Sequence, residues 1–136
     1  MIQQTTDPRV NFSGQTISED FTNQRMEDLG IETLPGQNNT RVLKLTGPLT
    51  FSTMFDFQSV LRKRKGPKTI IDLSGVPYMD SAGLGTLLGL HASCARNGQR
   101  YGVVGASDRL KTLFRVAGVD GILWNYDSME TAVSSL

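Results

Sequence analysis

The chain of 136 residues is long enough for one domain, and its 38% hydrophobic and 20% charged residues are ordinary for a globular fold. The formal net charge of +1 provides no field that attracts nucleic acid or an anionic membrane, and no apolar run approaches the ~18 residues of a spanning helix. The single cysteine excludes an internal disulfide, and the polar opening is unlike a secretory signal peptide, so we expect a cytoplasmic protein without membrane insertion or direct nucleic-acid binding.

The first part of the chain, residues 1–24, is expected to be a flexible tail. It is rich in Thr, Gln, Asn, Ser and Asp, and its apolar residues are too scattered to form one buried face. The folded domain is predicted to span residues 25–136.

Deletion of residues 1–24 is therefore expected to leave the melting temperature nearly unchanged, because no apolar face is lost from the core. Melting curves of the full and shortened chains would measure this. A fall of many degrees, or strong amide protection within residues 1–24, would contradict the prediction.

A hairpin and a helix are predicted at the start of the domain. Turn-forming residues at positions 36–39 separate two short apolar runs, which is typical of two strands around a turn. The segment that follows has apolar residues at helical spacing, and Gly66 and Pro67 end it, which predicts a helix over Thr53 to Lys65. The apolar positions of this helix are Met54, Phe57, Val60 and Leu61.

A strand, a helix and a second strand are predicted next. Thr69, Ile70 and Ile71 form an apolar run typical of a central strand that is covered on both faces. The helix ends near Asn97-Gly98, and Tyr101 to Val104 forms the following strand, parallel to the first and connected by a right-handed crossover. The predicted apolar face of this helix consists of Leu84, Leu87, Leu88 and Ala95.

The end of the chain is predicted to contain two more helices with a short strand, Ile122 to Trp124, between them. Ser107 is a predicted N-cap and Gly118 the C′ residue of the first helix, and Asp127 to Glu130 has the spacing of a capping box. The fold class is therefore a single α/β domain in which about four helices pack on a small mixed sheet of four to five strands. The apolar stripes are Leu110, Leu113, Phe114 and Ala117 in one helix, and Met129, Ala132, Val133 and Leu136 in the other.

Ser81 stands where the central strand gives way to a helix, and its sequence context excludes two kinds of enzyme. The only histidine, His91, is ten residues further along the same predicted helix, about 15 Å away, so it cannot act as a base for Ser81. The surrounding residues form neither a Gly-x-Ser-x-Gly elbow nor a Gly-Lys-Ser/Thr phosphate loop. We therefore expect no enzymatic activity and no cofactor.

Three other patterns have plain structural interpretations. His91 and Cys94 lie three residues apart without a second ligand pair, which favours solvent exposure or packing over a metal site. The basic run from Arg62 to Lys65 closes a helix, where cations interact favourably with the helix dipole. Gly85 and Gly89 are interpreted as positions that allow close helix packing.

Two compatible roles remain for Ser81. Serine is a preferred N-cap residue, worth about 1 kcal/mol. An exposed hydroxyl at a helix N-terminus is also a favourable place for a phosphate group, because backbone N–H groups and the helix dipole stabilise negative charge there.

Three motifs lie in residues 70–133: Asp-Ser-Ala-Gly-Leu-Gly at residues 80–85, the strand end Asp72-Leu73-Ser74, and Gly118-Val119-Asp120 before the last predicted strand. With these motifs, residues 70–133 resemble the STAS domain of bacterial anti-sigma factor antagonists. With VLKLTGPLT as the second strand, the resemblance extends over residues 30–136.

The resemblance implies that the serine matching Ser81 is phosphorylated by a partner that is both a serine kinase and an anti-sigma factor. The unphosphorylated form would bind this partner and free a sigma factor. A serine phosphatase is a further candidate partner. The implied partner-binding residues are Asp80, Ser81, Ala82, Gly83 and Thr50.

The second strand departs from the family pattern at its end. The family has Gly-Glu-Leu/Ile-Asp there, whereas this chain has Gly47-Pro48-Leu49-Thr50 without either acid, so the surface presented to the partner differs. Two alternatives stay open. One is a STAS subunit of a lipid-transport complex or a stress-signalling scaffold, in which Ser81 contacts a partner without being modified, and the other is a small nucleotide-binding domain.

Overall fold

A computed structural model of the chain describes residues 28–36, 39–63 and 68–136. The predicted tail, residues 1–24, and the helix stop at residues 66–67 lie outside these ranges. Within them, no helix is long and apolar enough to cross a membrane. The elements in chain order are β1 (Gly30–Pro35), β2 (Thr40–Thr46), α1 (Met54–Lys63), β3 (Lys68–Gly75), α2 (Ser81–Asn97), β4 (Arg100–Val104), α3 (Asp108–Val116) and α4 (Met129–Ser135).

The four strands form one mixed sheet in the order β1-β2-β3-β4. β1 and β2 pair antiparallel, with Ile31 opposite Leu45, which confirms the predicted hairpin. β2, β3 and β4 run parallel, with Ile71 opposite Leu43 on one side and Val103 on the other. Because the three parallel strands end at the same edge of the sheet, the loops that follow them meet there.

The apolar run of β3 is buried on both faces, as the sequence predicts. Ile70 and Ile71 have no exposed surface, and consecutive strand residues point to opposite faces of a sheet. Ile71 belongs to the larger core, under α1, α2 and α3, whereas Ile70 packs with residues of the smaller core, under α4. The helical residues buried in the larger core are Phe57, Leu84, Leu87, Cys94, Leu110 and Phe114.

The helix ends agree with the sequence at three positions and differ at a fourth. Ser107 caps α3 by accepting the Leu110 amide at 3.2 Å, and Gly98 and Gly118 adopt positive φ angles of 66° and 75° at the ends of α2 and α3. The capping box predicted from Asp127 to Glu130 is wrong by one residue. Ser128 caps α4 instead, because its hydroxyl accepts the amide of Thr131.

The short strand predicted over Ile122 to Trp124 is not formed. The Val119 carbonyl accepts amides from both Ile122 and Leu123, which curls this segment into a turn. Val103 of β4 forms a bridge with Asn125, and the Trp124 amide donates to the Tyr101 hydroxyl, but these contacts do not extend into a strand ladder. In the part of the chain that the structure describes, the sheet therefore ends at β4.

The predicted apolar faces are correct at their centres and wrong at their ends. Ala95 and Ala117 are exposed, while Cys94, which lies one residue before Ala95, is buried. Gly85 and Gly89 do not provide close helix packing, because a Cβ atom built on either would meet no atom within 4 Å. A small residue identifies a position without a bulky side chain, but it does not show whether the neighbouring element fills the space.

Candidate functional site

Two loops meet at the edge where the parallel strands end. The loop after β2 and the loop after β3 are joined by a parallel bridge between Leu49 and Met79. The Gly47 amide also donates to the Gly75 carbonyl at 2.9 Å, and the Asp80 amide donates to the Leu49 carbonyl at 3.3 Å. These bonds place the unusual Gly47–Thr50 segment beside the start of α2.

Asp80, rather than Ser81, is the N-cap of α2. Asp80 has extended backbone angles, φ −101° and ψ −174°, and its Oδ1 accepts the Gly83 amide at 2.9 Å. Ser81 is the first residue inside the helix. The prediction that Ser81 caps this helix is therefore wrong, because the carboxylate one position earlier already occupies the capping geometry, and Asp is as good a cap as Ser.

The hydroxyl of Ser81 is left available at the surface. Ser81 is exposed, and its side chain makes no hydrogen bond to any other residue within the described ranges. A serine that capped the helix would have its oxygen occupied by a backbone amide. The Asp80 cap therefore leaves the Ser81 oxygen accessible to a partner or to a modifying enzyme.

The Asp80 carboxylate also ties the two loops together. Its second oxygen, Oδ2, accepts the amide of Phe51 at 3.1 Å. Desolvation raises the pKa of Asp80, but backbone hydrogen bonds from residues including Gly83, Phe51 and Ala82 favour the ionised form and hold its pKa below the ordinary value of 3.8. The group beside Ser81 is therefore a carboxylate anion at neutral pH.

Asp80→Ala is expected to lower the free energy of unfolding by about 1 kcal/mol at neutral pH, because the Gly83 amide loses its acceptor. Asp80→Asn is the matched control, since asparagine caps equally well but does not titrate. The pKa of Asp80 is depressed in the folded state, so its stabilising contribution is present above the pKa of the unfolded carboxyl and is lost as the pH falls through the folded pKa. Urea unfolding at a series of acidic pH values would measure the free energy of unfolding of both proteins. We expect the excess stability of the wild type over Asp80→Asn to disappear as the pH falls. A difference that does not change with pH would contradict this role.

The other predicted partner-binding residues differ in how deeply they are buried. Ala82 and Thr50 are half-buried, and Gly83 is buried. A side chain on Gly83 would collide with the carbonyl oxygen of Leu49, so glycine is required where α2 meets the loop after β2. Gly83 therefore positions the exposed residues Asp80 and Ser81, whereas its role in direct partner contact stays a prediction.

Two exposed aromatic side chains beside this site were missed by the sequence analysis. Phe51 is 62% exposed and Phe55 is 55% exposed, and their rings meet edge to face with centroids 5.7 Å apart. The same Phe51 amide that binds Asp80 connects this pair to the start of α2. The signal in the sequence for Phe55 was its position two residues from Phe57, which fills the core from the opposite side of α1. Phe51 precedes this helix, so no helical period indicated its exposure.

His91 and Cys94 are committed to packing. Nδ1 of His91 lies 2.8 Å from the Tyr101 hydroxyl, which also accepts the Trp124 amide at 3.1 Å, and the ring of Tyr101 stacks on that of Trp124. Cys94 is buried, and burial raises the pKa of its thiol. Among the described residues, no three His, Cys, Asp or Glu side chains lie close enough together to hold a metal ion.

The chain is similar to a known domain family and to proteins named as anti-sigma-B factor antagonists. Residues 33–132 match the STAS domain family. The anti-sigma-B factor antagonist of Staphylococcus aureus is 31% identical over 99 residues, which cover 71% of this chain and 91% of that protein.

Two solved structures of SpoIIAA share the fold. The unphosphorylated form of this anti-sigma factor antagonist has a TM-score of 0.65 at 19% identity and covers 78% of this chain and 95% of its own. The phosphorylated form from Bacillus has a TM-score of 0.59 at 18% identity and covers 78% of this chain and 98% of its own. From the family match and the identity to the staphylococcal protein, the chain belongs to the STAS domain family, as do bacterial anti-sigma factor antagonists.

Proposed function

We propose that this protein is an anti-sigma factor antagonist that binds an anti-sigma factor through the surface around Asp80 and Ser81, and so releases a sigma factor. The observation that carries the proposal is the exposed Ser81 hydroxyl, which the Asp80 cap leaves uncommitted at the start of α2. The name of the staphylococcal relative supports the same role. The protein would act in the cytoplasm as a binding module, without catalysing a reaction.

Phosphorylation of Ser81 by the partner, acting as a serine kinase, would switch the interaction off. The Ser81 oxygen would bond to the transferred phosphorus of ATP, with loss of the hydroxyl proton and release of ADP. A phosphate dianion would then lie next to the Asp80 carboxylate, on a surface that loses water when the partner binds. An unpaired charge buried in an interface is strongly unfavourable, so the partner would dissociate. A serine phosphatase would restore binding.

The structure of a relative supports this chemistry, since SpoIIAA has been solved in a phosphorylated and an unphosphorylated form. In this chain the first turn of α2 also favours a phosphate, because helix N-terminal amides and the helix dipole stabilise negative charge. Asp80 opposes it by like-charge repulsion, so the phosphate and the Asp80 carboxylate together present a concentrated negative charge to the partner.

The exposed aromatic pair is the expected apolar centre of the partner-binding surface. The Phe51 amide bonds to Asp80, the residue next to Ser81, and the Phe51 ring contacts that of Phe55. Aromatic side chains dominate the binding energy of many interfaces. Asp80 and Asp56 are exposed nearby, so the matching surface of the partner is expected to combine an apolar pocket with basic residues.

Phe51→Ser and Phe55→Ser are each expected to weaken binding of the anti-sigma factor by at least about tenfold, because each removes a large apolar contact. Both variants should stay folded, since the rings are exposed. Val116→Ser is the control, because Val116 is 80% exposed and lies at the end of α3. Calorimetric titration would measure the affinities. Unchanged affinity in both phenylalanine variants would place the interface elsewhere.

The function itself is tested by sigma factor release. The protein would be added to a purified complex of the anti-sigma factor and sigma factor from the same genome, and transcription from a sigma-dependent promoter would be measured. We expect transcription to rise with the unphosphorylated protein and to fall again when the kinase and ATP are added first. Absence of any rise, together with no binding to the anti-sigma factor, would overturn the proposal.

A further inference from the structure

Arg109 lies at the same edge of the sheet as Ser81. It is the second residue of α3, and its guanidinium carbon lies 5.5 Å from the centre of the Tyr78 ring. Tyr78 belongs to the loop after β3, three residues before Ser81. The contact therefore joins the start of α3 to the loop that leads to Ser81.

The order of the strands places Ser81 between an aromatic side chain and a cation. β2, β3 and β4 are neighbours in that order and run parallel, so the segments that follow them lie in the same order along the edge. Phe51 follows β2, and Arg109 follows β4. Ser81 follows β3, so it lies between the two.

The charge of Arg109 is not paired with a carboxylate within the described ranges. Arg109 is exposed, and the contact with the Tyr78 ring is its only ionic, hydrogen-bonding or ring interaction there. The ring attracts the cation and limits the movement of the side chain without neutralising its charge. The guanidinium therefore keeps donors available for two parallel hydrogen bonds to a carboxylate of another molecule.

Helix stability does not explain a cation at this position. Ser107 caps α3, so Arg109 lies in the first turn, where the positive end of the helix dipole disfavours positive charge. The preceding residue, Asp108, has the charge that this end of the helix favours. Arg109 is therefore better explained by the charge that it presents at the surface than by the helix that carries it.

We propose that Arg109 determines partner specificity by pairing with a carboxylate of the anti-sigma factor, an inference that rests on the proposed function. Arginine is among the residues that dominate binding energy at interfaces, and a side chain that is already held in place loses little freedom on binding. Asp80 and Arg109 present opposite charges on one surface, so the partner must carry a base and an acid in the matching order. That requirement sets the orientation of the partner and disfavours proteins with another charge pattern.

Charge removal and charge reversal at Arg109 test the inference. Calorimetric titration with the anti-sigma factor would compare the wild type with Arg109→Gln and Arg109→Glu. We expect a loss of affinity of about threefold for Arg109→Gln, which removes the pair, and of at least about tenfold for Arg109→Glu, which opposes two carboxylates. Both variants should melt close to the wild type, because the first turn of a helix tolerates neutral and negative side chains. A large fall in melting temperature would indicate a structural role and would overturn the inference.

Arg115→Glu is the matched control, because it makes the same charge reversal at an exposed residue in the last turn of α3. It should leave the affinity within about twofold of the wild type. Partner variants in which one exposed Asp or Glu is replaced by Lys identify the opposing group, and we expect one of them to restore the binding of Arg109→Glu. Equal losses in Arg109→Glu and Arg115→Glu, or a loss that no partner variant restores, would overturn the inference.

Failure of this inference is distinguishable from failure of the proposed function. If the wild type binds the anti-sigma factor and releases the sigma factor, and Arg109→Glu does so equally well, only the role of Arg109 is overturned. If the wild type does not bind the anti-sigma factor, the proposed function is overturned, and the role of Arg109 with it.

Discussion

Ser81→Asp is expected to stay folded and to bind the anti-sigma factor at least about 100-fold more weakly than the wild type. A carboxylate in the first turn of α2 suits the helix dipole, so the fold tolerates it. The same carboxylate adds a second negative charge beside Asp80, on a surface that must lose water in the complex. Calorimetric titration would measure the loss of affinity, and melting curves would show that the variant remains folded.

Two neutral variants separate the effect of charge from the effect of shape. Ser81→Asn has nearly the size of Ser81→Asp without its charge and should bind more tightly than the acidic variant. Ser81→Ala should keep both binding and stability, because Asp80 caps the helix. Equal affinity of Ser81→Asp and Ser81→Asn would contradict a charge switch and would favour a STAS subunit in which Ser81 is never modified.

Leu87→Ala is expected to lower the free energy of unfolding by about 2–5 kcal/mol. Leu87 has no exposed surface and lies in the larger core, on the buried face of α2. Truncation removes buried apolar contacts and leaves a cavity that the parallel sheet beneath cannot close. Urea denaturation would give the change directly.

Leu88→Ala is the matched control, because it makes the same substitution at the next position of the same helix. Leu88 is half-buried and packs at the margin of the core. Its replacement should cost less than half as much as Leu87→Ala. An equal loss in the free energy of unfolding at the two positions would contradict the placement of Leu87 on the buried face of α2.

The order of elements was predictable because it depends on local patterns. The positive φ at Asn39, the apolar run at Ile70 and Ile71, and the cap at Ser107 are each encoded by residues a few positions apart. The predicted strand at Ile122 did not form because the Val119 carbonyl accepts the Ile122 and Leu123 amides, so these residues turn instead of pairing with the edge of β4.

The position of Ser81 at a helix start was also evident from the sequence, but the accessibility of its hydroxyl was not. Both Asp80 and Ser81 are good capping residues, and the choice between them depends on the loop after β2, whose Phe51 amide holds the second Asp80 oxygen. That loop is some thirty residues earlier in the chain, so no local pattern contains this information. The position of the exposed Phe51 beside α2 likewise depends on this contact between distant parts of the chain.

The sequence by itself determined a mixed α/β domain, the parallel core and a serine at the start of α2, because periodicity, turn residues and caps act over short distances. Tertiary structure alone decided that Asp80 caps the helix and that Ser81 is left accessible. It also decided that Gly85 and Gly89 face open space instead of tightening a helix contact. These outcomes depend on which surfaces of separate elements meet, and that is set by the packing of the whole sheet and its helices.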